Sequence, residues 1–324
     1  MNYNPVIQAF RKHKNFLITT HVNPDADAAA SALAVAIVLR SLGKTVTVVN
    51  QDAIPGWLQF LPKVRLFKKA GALRNVHYDV AVFLDCGDLS RVGDARALLK
   101  DGKPLINIDH HKTNDGFGDL NLVLPESSST AEVLYDLFCK MNVRWSKDLA
   151  TLLYAGIMTD TGSFRYDCTS PETHRIAGEL MAFGISPSDL YTRIYDVIPM
   201  KDLKLFLQVA NSVEFFNSGK IACVDLRKNI LSRVSDGFDI RDKIFGLLRS
   251  TKGVEVIAIF NEIDARQTRV NFRSKGSFDV AQLALKFNGG GHAKASGCTI
   301  DLNMPETRKK ILREIIPTLE RPHL

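Results

Sequence analysis

Four short stretches hold the residue types that bind divalent cations. His21-Val-Asn-Pro-Asp25-Ala-Asp27 sets one imidazole and two carboxylates within seven residues, and Asp85 follows the apolar run Val80 to Leu84. Asp109-His110-His111 follows the run Leu105 to Ile108, and Asp160 follows the apolar run Leu152 to Met158. Taken singly, each has an ordinary explanation: Asp before an Ala-rich stretch is a common helix N-cap, and a polar turn with glycine is a common helix end. Taken together they supply mixed nitrogen and oxygen donors, which suit Mn²⁺, Fe²⁺ or Zn²⁺ better than Mg²⁺ alone. His21, Asp25, Asp27, Asp85, His110 and Asp160 make six ligands, enough for two cations with Asp85 shared. Two such ions about 3.5 to 4 Å apart would clamp a phosphoryl group and generate a hydroxide nucleophile. Neighbouring side chains of an extended segment point apart, so one of His110 and His111 is expected to ligate metal while the other faces substrate, with Asp109 orienting an imidazole.

A second candidate lies far downstream. Asn288-Gly289-Gly290-Gly291-His292 is a flexible turn on composition alone. The following Ala-Lys-Ala-Ser296 is expected to open a short helix whose backbone N–H groups would receive an anion. Arg273-Ser274-Lys275-Gly276 ends a strand upstream, and an arginine there can fork onto a phosphate or stack on a base.

The elements that must position these groups show as β-branched runs alternating with helical stretches. Phe16 to Thr20, Thr45 to Asn50, Asp79 to Leu84 and Leu105 to Ile108 read as strands, separated by Ala/Leu-rich segments such as Ala28 to Leu42 and Thr130 to Met141. That alternation predicts βαβ units and a parallel sheet, so the fold class is α/β. Three of the four runs lead directly into His21, Asp85 and Asp109-His110-His111. Parallel strands point the same way, so these side chains are expected together at the carboxyl edge, where open α/β sheets place their ligands. After about Pro187 a helical connector is expected, with Leu203, Phe206, Leu207 and Ala210 at helical spacing. A smaller α/β unit follows, with strands over 220–226, 254–260 and 268–273, helices over 240–248 and 278–286, and a terminal helix over 304–319. The predicted domains are 1–187, a linker over 188–213, and 214–324.

With 324 residues, 45% hydrophobic and 24% charged, at a mean hydropathy of -0.03, the chain is ordinary globular material with room for about two cores. Forty-two basic against 35 acidic residues give +7, which suits an anionic partner such as a phosphate ester or short nucleic acid, although no long basic run is present. The five cysteines are scattered without a CxxC pair, which argues against a zinc finger and for reduced thiols in the cytoplasm. No apolar stretch is long enough for a membrane span. Gly43-Lys44-Thr45 resembles the end of a phosphate-binding loop, but Val38 stands where that motif needs glycine, and GxGxxG after a strand, HExxH and GxSxG are all missing.

In this order, His21-x-x-x-Asp25-x-Asp27, Asp85, Asp109-His110-His111, Asp160 and Gly289-Gly-Gly-His292 resemble the DHH/DHHA1 phosphoesterase superfamily over nearly the whole chain. The likeness is to its stand-alone two-domain members, the nanoRNase/pAp-phosphatase and cyclic di-AMP or pApA phosphodiesterase group. It implies a Rossmann-like DHH domain, a smaller DHHA1 domain, and an active site in the cleft between them. It also implies that His21, Asp25 and bridging Asp85 hold one Mn²⁺ while Asp27, Asp85, His110 and Asp160 hold the other, with Co²⁺, Mg²⁺ or Fe²⁺ as alternatives. His111 would contact the substrate phosphate, and Arg273, Ser274, Gly290, Gly291 and His292 would recognise nucleotide or terminal phosphate. Ala26, Ala28, Ala29 and Asn288 stand where many relatives have glycine.

The implied activity is hydrolysis of pApA, very short RNA and cyclic di-AMP to 5′-mononucleotides. The alternatives are a 3′-phosphoadenosine 5′-phosphate (pAp) phosphatase and a nucleotide sensor without chemistry; all six ligands being present argues against the sensor. A RecJ-like exonuclease would need further domains, and a family II pyrophosphatase has a different C-terminal domain. The resemblance implies a homodimer, with no stable DNA or other protein partner.

Overall fold

The computed structural model describes residues 2–235 and 238–320, without the side chains of His292 and Glu320. It separates into two compact units, 1–197 and 198–324. This division falls inside the 188–213 stretch read as a linker.

In the first unit, α1 (Asn4–Lys12) leads to β1 (Asn15–Thr20), α2 (Ala26–Ser41), β2 (Thr45–Asn50), β3 (Phe67–Lys69), β4 (Val80–Leu84), β5 (Leu105–Asp109) and β6 (Leu120–Val123). Four helices follow: α3 (Thr130–Met141), α4 (Lys147–Asp160), α5 (Pro171–Met181) and α6 (Pro187–Tyr195). Among the described residues the six strands form one parallel sheet in the order β3-β2-β1-β4-β5-β6. This is the doubly wound order, whose ligand crevice opens where the winding reverses, between β1 and β4. Helix α2 is apolar on every side, with 13 of its 16 residues buried, which is the pattern of a central rather than a surface helix. It packs with α3 and α4 over one sheet face, while Leu17, Val49, Tyr78 and Phe83 on the other face are covered by short turns that include Leu89–Leu98.

The second unit runs α7 (Met200–Asn211), β7 (Glu214–Phe216), β8 (Ile221–Leu226), α8 (Lys228–Leu231), α9 (Ile240–Ser250), β9 (Val256–Asp264), β10 (Gln267–Ser274), α10 (Val280–Leu285), β11 (Gly290–His292), β12 (Ala295–Ile300) and α11 (Met304–Glu320). Its sheet, β11-β12-β10-β9-β8-β7, is antiparallel except between β8 and β9. Helices α7 and α9 cover one face and α10 and α11 the other.

Several expectations are corrected. The segment after the glycines is a hairpin, not a helix: β11 pairs β12, and Ser296, Cys298 and Ile300 alternate inward, so period-two burial decides the conformation. On α7 the buried side chains are Asp202, Leu205 and Val209, with Phe206 and Ala210 packed against the same core, while Leu203 and Leu207 are 41% and 56% exposed, so only part of the apolar spacing faces the core. The short strands β3, β6, β7 and β11 lack the length and β-branched content that reveal a strand in sequence. Among the described residues no helix is long and apolar enough to cross a membrane.

Candidate metal centre

The loops after β1 and β4 meet at the winding reversal. His21 follows β1, Asp25 caps α2 with Oδ1 accepting from Ala28 N at 3.0 Å, and Asp27 lies in the first turn of that helix. Asp25 is therefore both an N-cap and a member of the cluster, its Oδ2 3.8 Å from His21 Nε2. Asp85 follows β4 in the left-handed region at φ 56, which Asp and Asn tolerate better than other side chains. In this conformation its Oδ2 stands 3.5 Å from His21 Nε2 and its Oδ1 3.6 Å from His110 Nε2. Asp160 ends α4 and lies 3.1 Å from His110 Nε2.

Among the described residues, three groups of ligand atoms lie close enough to share a cation: His21 with Asp25 and Asp85, Asp27 with His110 and Asp160, and Asp85 with His110 and His111. Two of the imidazoles are anchored alike. His21 Nδ1 lies 2.8 Å from the Val22 carbonyl and His110 Nδ1 3.3 Å from the Ser127 carbonyl. With the proton held on Nδ1, both rings turn Nε2 towards the carboxylates, the arrangement by which proteins fix a metal-binding tautomer.

His111 is mounted differently. Its Nδ1 faces Asp109 Oδ1 at 2.7 Å and Asp85 Oδ1 at 3.6 Å, so the Asp109 bond fixes the ring from the Nδ1 side. Asp109 is fully buried and also accepts from the His110 amide at 2.8 Å and from Asn114 Nδ2 at 2.6 Å. These bonds outweigh its burial and hold its carboxyl down at about 2. The chain leaves β5 at Asp109, so the pleat that would send neighbouring side chains apart has ended. The two histidine rings accordingly lie 4.8 Å apart and both approach Asp85, rather than diverging as the extended reading required.

The electrostatics favour a cation. Four carboxylates, Asp25, Asp27, Asp85 and Asp160, share this pocket. Burial, then the charges of Asp85 and Asp160, push Asp27 well above the usual carboxyl range. Burial raises Asp160 to about 6, and its place at the negative end of α4 adds to the cost of its charge. His21 and His110 respond in the opposite direction: despite burial, the adjoining carboxylates lift both to about 10. The pocket thus takes protons where it has no stronger cation, and its donor set fits divalent metal.

A prediction follows from the sign of these shifts. With pKa values near 10, both imidazoles are protonated at pH 7.5 before metal arrives, and a cation binding at Nε2 must displace those protons. Adding Mn²⁺ to EDTA-stripped protein in weak buffer should release at least about two protons per chain, and apparent affinity should climb with pH towards about 10. Loading without proton release would mean that the cation does not displace protons from these imidazoles.

Several contributors were not read from sequence. Asn50 Nδ2 donates to Thr20 Oγ1 at 2.8 Å and to the His21 carbonyl at 2.9 Å, which steadies the first loop. Gly156 of α4 lets three helices converge, because a Cβ there would come within 2.5 Å of Asp27 Oδ1. Thr130 donates through its amide to Asp27 Oδ2 at 2.7 Å and through its hydroxyl to Asp85 Oδ1 at 2.9 Å. Of this set, only Thr130 lies in a pattern visible in the sequence, inside Ser129-x-x-Glu132, a helix-capping spacing at the head of α3.

In the second unit, Arg273 at the end of β10 lies over the Phe245 ring at 4.8 Å. Ser274 is turned inward, its Oγ 2.7 Å from the Phe278 carbonyl and 3.2 Å from that of Ala293, so it pins together the two loops beside Arg273. Gly290 and Gly291 form the exposed edge strand β11, Gly291 at φ 136. The His292 side chain falls outside what the structure describes.

The chain matches the family model described as "DHH family, N-terminal domain" over residues 15–157 and the model described as "DHHA1 domain" over residues 232–320. It is 33% identical over 309 residues to the bifunctional oligoribonuclease and PAP phosphatase NrnA of Thermus thermophilus, covering 94% of this chain and 90% of that one. The Bacillus subtilis protein of the same name is 30% identical over 306 residues, covering 91% and 92%. The crystal structure of an exopolyphosphatase-related protein from Bacteroides fragilis is similar with a TM-score of 0.90 at 28% identity, over 98% of this chain and 97% of that one.

Proposed function

Because this chain belongs to the DHH family and carries a DHHA1 domain, we propose that it is a metal-dependent phosphodiesterase that cleaves short oligonucleotides, pApA and very short RNA, to 5′-mononucleotides. The observation that carries this reading is the shared pocket in which two backbone-anchored imidazoles and four carboxylates converge around Asp85. In this reading His21, Asp25 and Asp85 hold one Mn²⁺, and Asp27, Asp85, His110 and Asp160 hold a second. Bound there, the cations would supply charge neutralisation for the phosphoryl oxygens and a water deprotonated near neutral pH.

The chain's own residues do the rest. Asp109 fixes the His111 ring and, with Asp85, lifts its pKa against burial, so a larger share of the ring is cationic at neutral pH than for a free imidazole. His111 thus offers a charged N–H donor to a phosphate oxygen as negative charge grows on it. Arg273, with Ser274 holding its loop, and the Gly290-Gly291-His292 edge take the nucleotide or terminal phosphate.

The names of the relatives support a second activity, phosphate release from pAp, since both pair an oligoribonuclease with a PAP phosphatase. The deciding experiment offers pApA, cyclic di-AMP, a five-nucleotide RNA and pAp in parallel with Mn²⁺, with phosphate and nucleotides resolved over time. AMP from pApA without free phosphate is the expected result. Phosphate from pAp as the faster reaction would make the monoesterase primary, and no turnover of any of the four would overturn the reading.

The glycine edge gives an independent prediction. A Cβ at Gly290 would meet nothing within 4 Å, whereas at Gly291 it would come within 2.5 Å of the Ala295 carbonyl. Glycine at 290 is therefore not needed by the fold, and Gly290→Ala should melt at or slightly above the wild-type temperature because the unfolded chain loses freedom. If a phosphate approaches this backbone, KM should rise several-fold with kcat little changed. An unchanged KM would remove Gly290 from the binding surface.

A further inference from the structure

The residue that ties the two halves of the carboxylate cluster together is Thr130. It stands at the first position of α3, fully buried, and donates from two atoms to acids that come from different elements. Its amide donates to Asp27 Oδ2 at 2.7 Å while the Ala131 amide donates to Asp27 Oδ1 at 3.0 Å, so the head of α3 holds that carboxylate in one plane. Its hydroxyl donates to Asp85 Oδ1 at 2.9 Å. Packing does not call for this hydroxyl, since valine fills nearly the same volume and buries no polar group. Its effect is on the rotation of Asp85: with Oδ1 held on the Thr130 and His110 side, Oδ2 faces His21, the presentation a carboxylate needs to serve two cations.

Helix α3 is itself firmly seated. Ser129 Oγ accepts from the Glu132 amide at 3.1 Å, and buried Glu132 accepts from Ser128 Oγ at 2.5 Å and from Thr173 Oγ1 of α5 at 2.9 Å. The donor pair of Thr130 is thus carried on a helix end clamped from two sides.

We infer that Thr130 is a positioning residue that sets the orientation of Asp85 relative to Asp27 and thereby the loading of the cation pair. The inference rests on reading these two acids as ligands. Interactions that orient ligands are typically worth about 10- to 100-fold in metal affinity or activity.

The test compares Thr130→Val, which deletes the hydroxyl and keeps the amide and the branched shape, with Thr130→Ser, which keeps the donor. Mn²⁺ binding is followed without substrate by the electron paramagnetic resonance of free Mn²⁺, and kcat and KM are measured separately. Thr130→Val should weaken Mn²⁺ loading about 10- to 100-fold and lower kcat with KM little moved, and Thr130→Ser should restore both to within a few-fold of wild type. If Thr130→Val does not fold, Thr130→Cys, close to threonine in size but a weak donor, takes its place and should load Mn²⁺ more weakly than Thr130→Ser. A wild-type isotherm for Thr130→Val, or for Thr130→Cys in its place, overturns the inference, as does a serine variant as impaired as the valine or cysteine one. Asp85→Asn run alongside separates the two failures: if it also binds Mn²⁺ normally, the ligand reading itself is wrong, whereas loss of Mn²⁺ there with a normal valine isotherm removes only the role of Thr130.

Discussion

Replacing Asp85 with asparagine is expected to lower turnover by on the order of 10³-fold or more and to strip the protein of bound cation. Asparagine is the informative substitute because it is nearly isosteric and also tolerates the left-handed backbone at φ 56, so the loop after β4 keeps its shape. What changes is charge at a residue only 2% exposed, whose two carboxylate oxygens face His21 on one side and His110 on the other. An amide can present one oxygen but not two, and its N–H₂ would point at an Nε2 that should be binding metal. Of the three groups of ligand atoms Asp85 belongs to two, so one change reaches His21 with Asp25 and also His110 with His111, whereas Asp25 and Asp160 belong to one group each. Turnover of pApA and metal content by mass spectrometry settle the matter together. Near wild-type turnover with normal metal content would end the two-cation reading.

His111→Ala is expected to lower kcat by about 10²- to 10⁴-fold while metal content stays at the wild-type level. The fold should survive, because buried Asp109 keeps its bonds from Asn114 and from the His110 amide when the ring is gone. The pH profile adds a second readout. The His111 pKa is raised, so its cationic form extends above 6.5, and a step that uses this donor slows as pH rises through the raised value. The wild type should show that alkaline fall and His111→Ala should not. Loss of metal in the variant would instead place His111 among the ligands, as its approach to Asp85 at 3.6 Å allows.

Much of this site was legible before folding was considered. His21, Asp25, Asp27, Asp85, Asp109, His110, His111 and Asp160 were all singled out from their types and their places after apolar runs, and the structure brings them to one sheet edge. The reason is local: a parallel strand is a β-branched run, its carboxyl end is the residue after the run, and that order cannot be altered by packing. The substrate side was less legible. Ser296, Cys298 and Ile300 alternate at period two, but small residues after three glycines gave no run long enough to outweigh a helical reading, and the hairpin forms because β10 offers β12 a partner along Thr268 to Arg273.

The sequence by itself determined which residue types gather, on which elements, and therefore the class of chemistry. The tertiary structure alone decided how each group is aimed. That His21 and His110 show Nε2 to the acids while His111 is held from Nδ1 depends on carbonyl and carboxylate partners supplied by loop geometry. That Thr130 reaches Asp27 across 103 positions and Asp85 across 45, and that Gly156 clears space for Asp27, depends on where α3 and α4 land on α2. Hydrophobic periodicity reports burial, which is non-directional, whereas a hydrogen bond or a ligand lone pair has a direction that exists only once distant segments are in place.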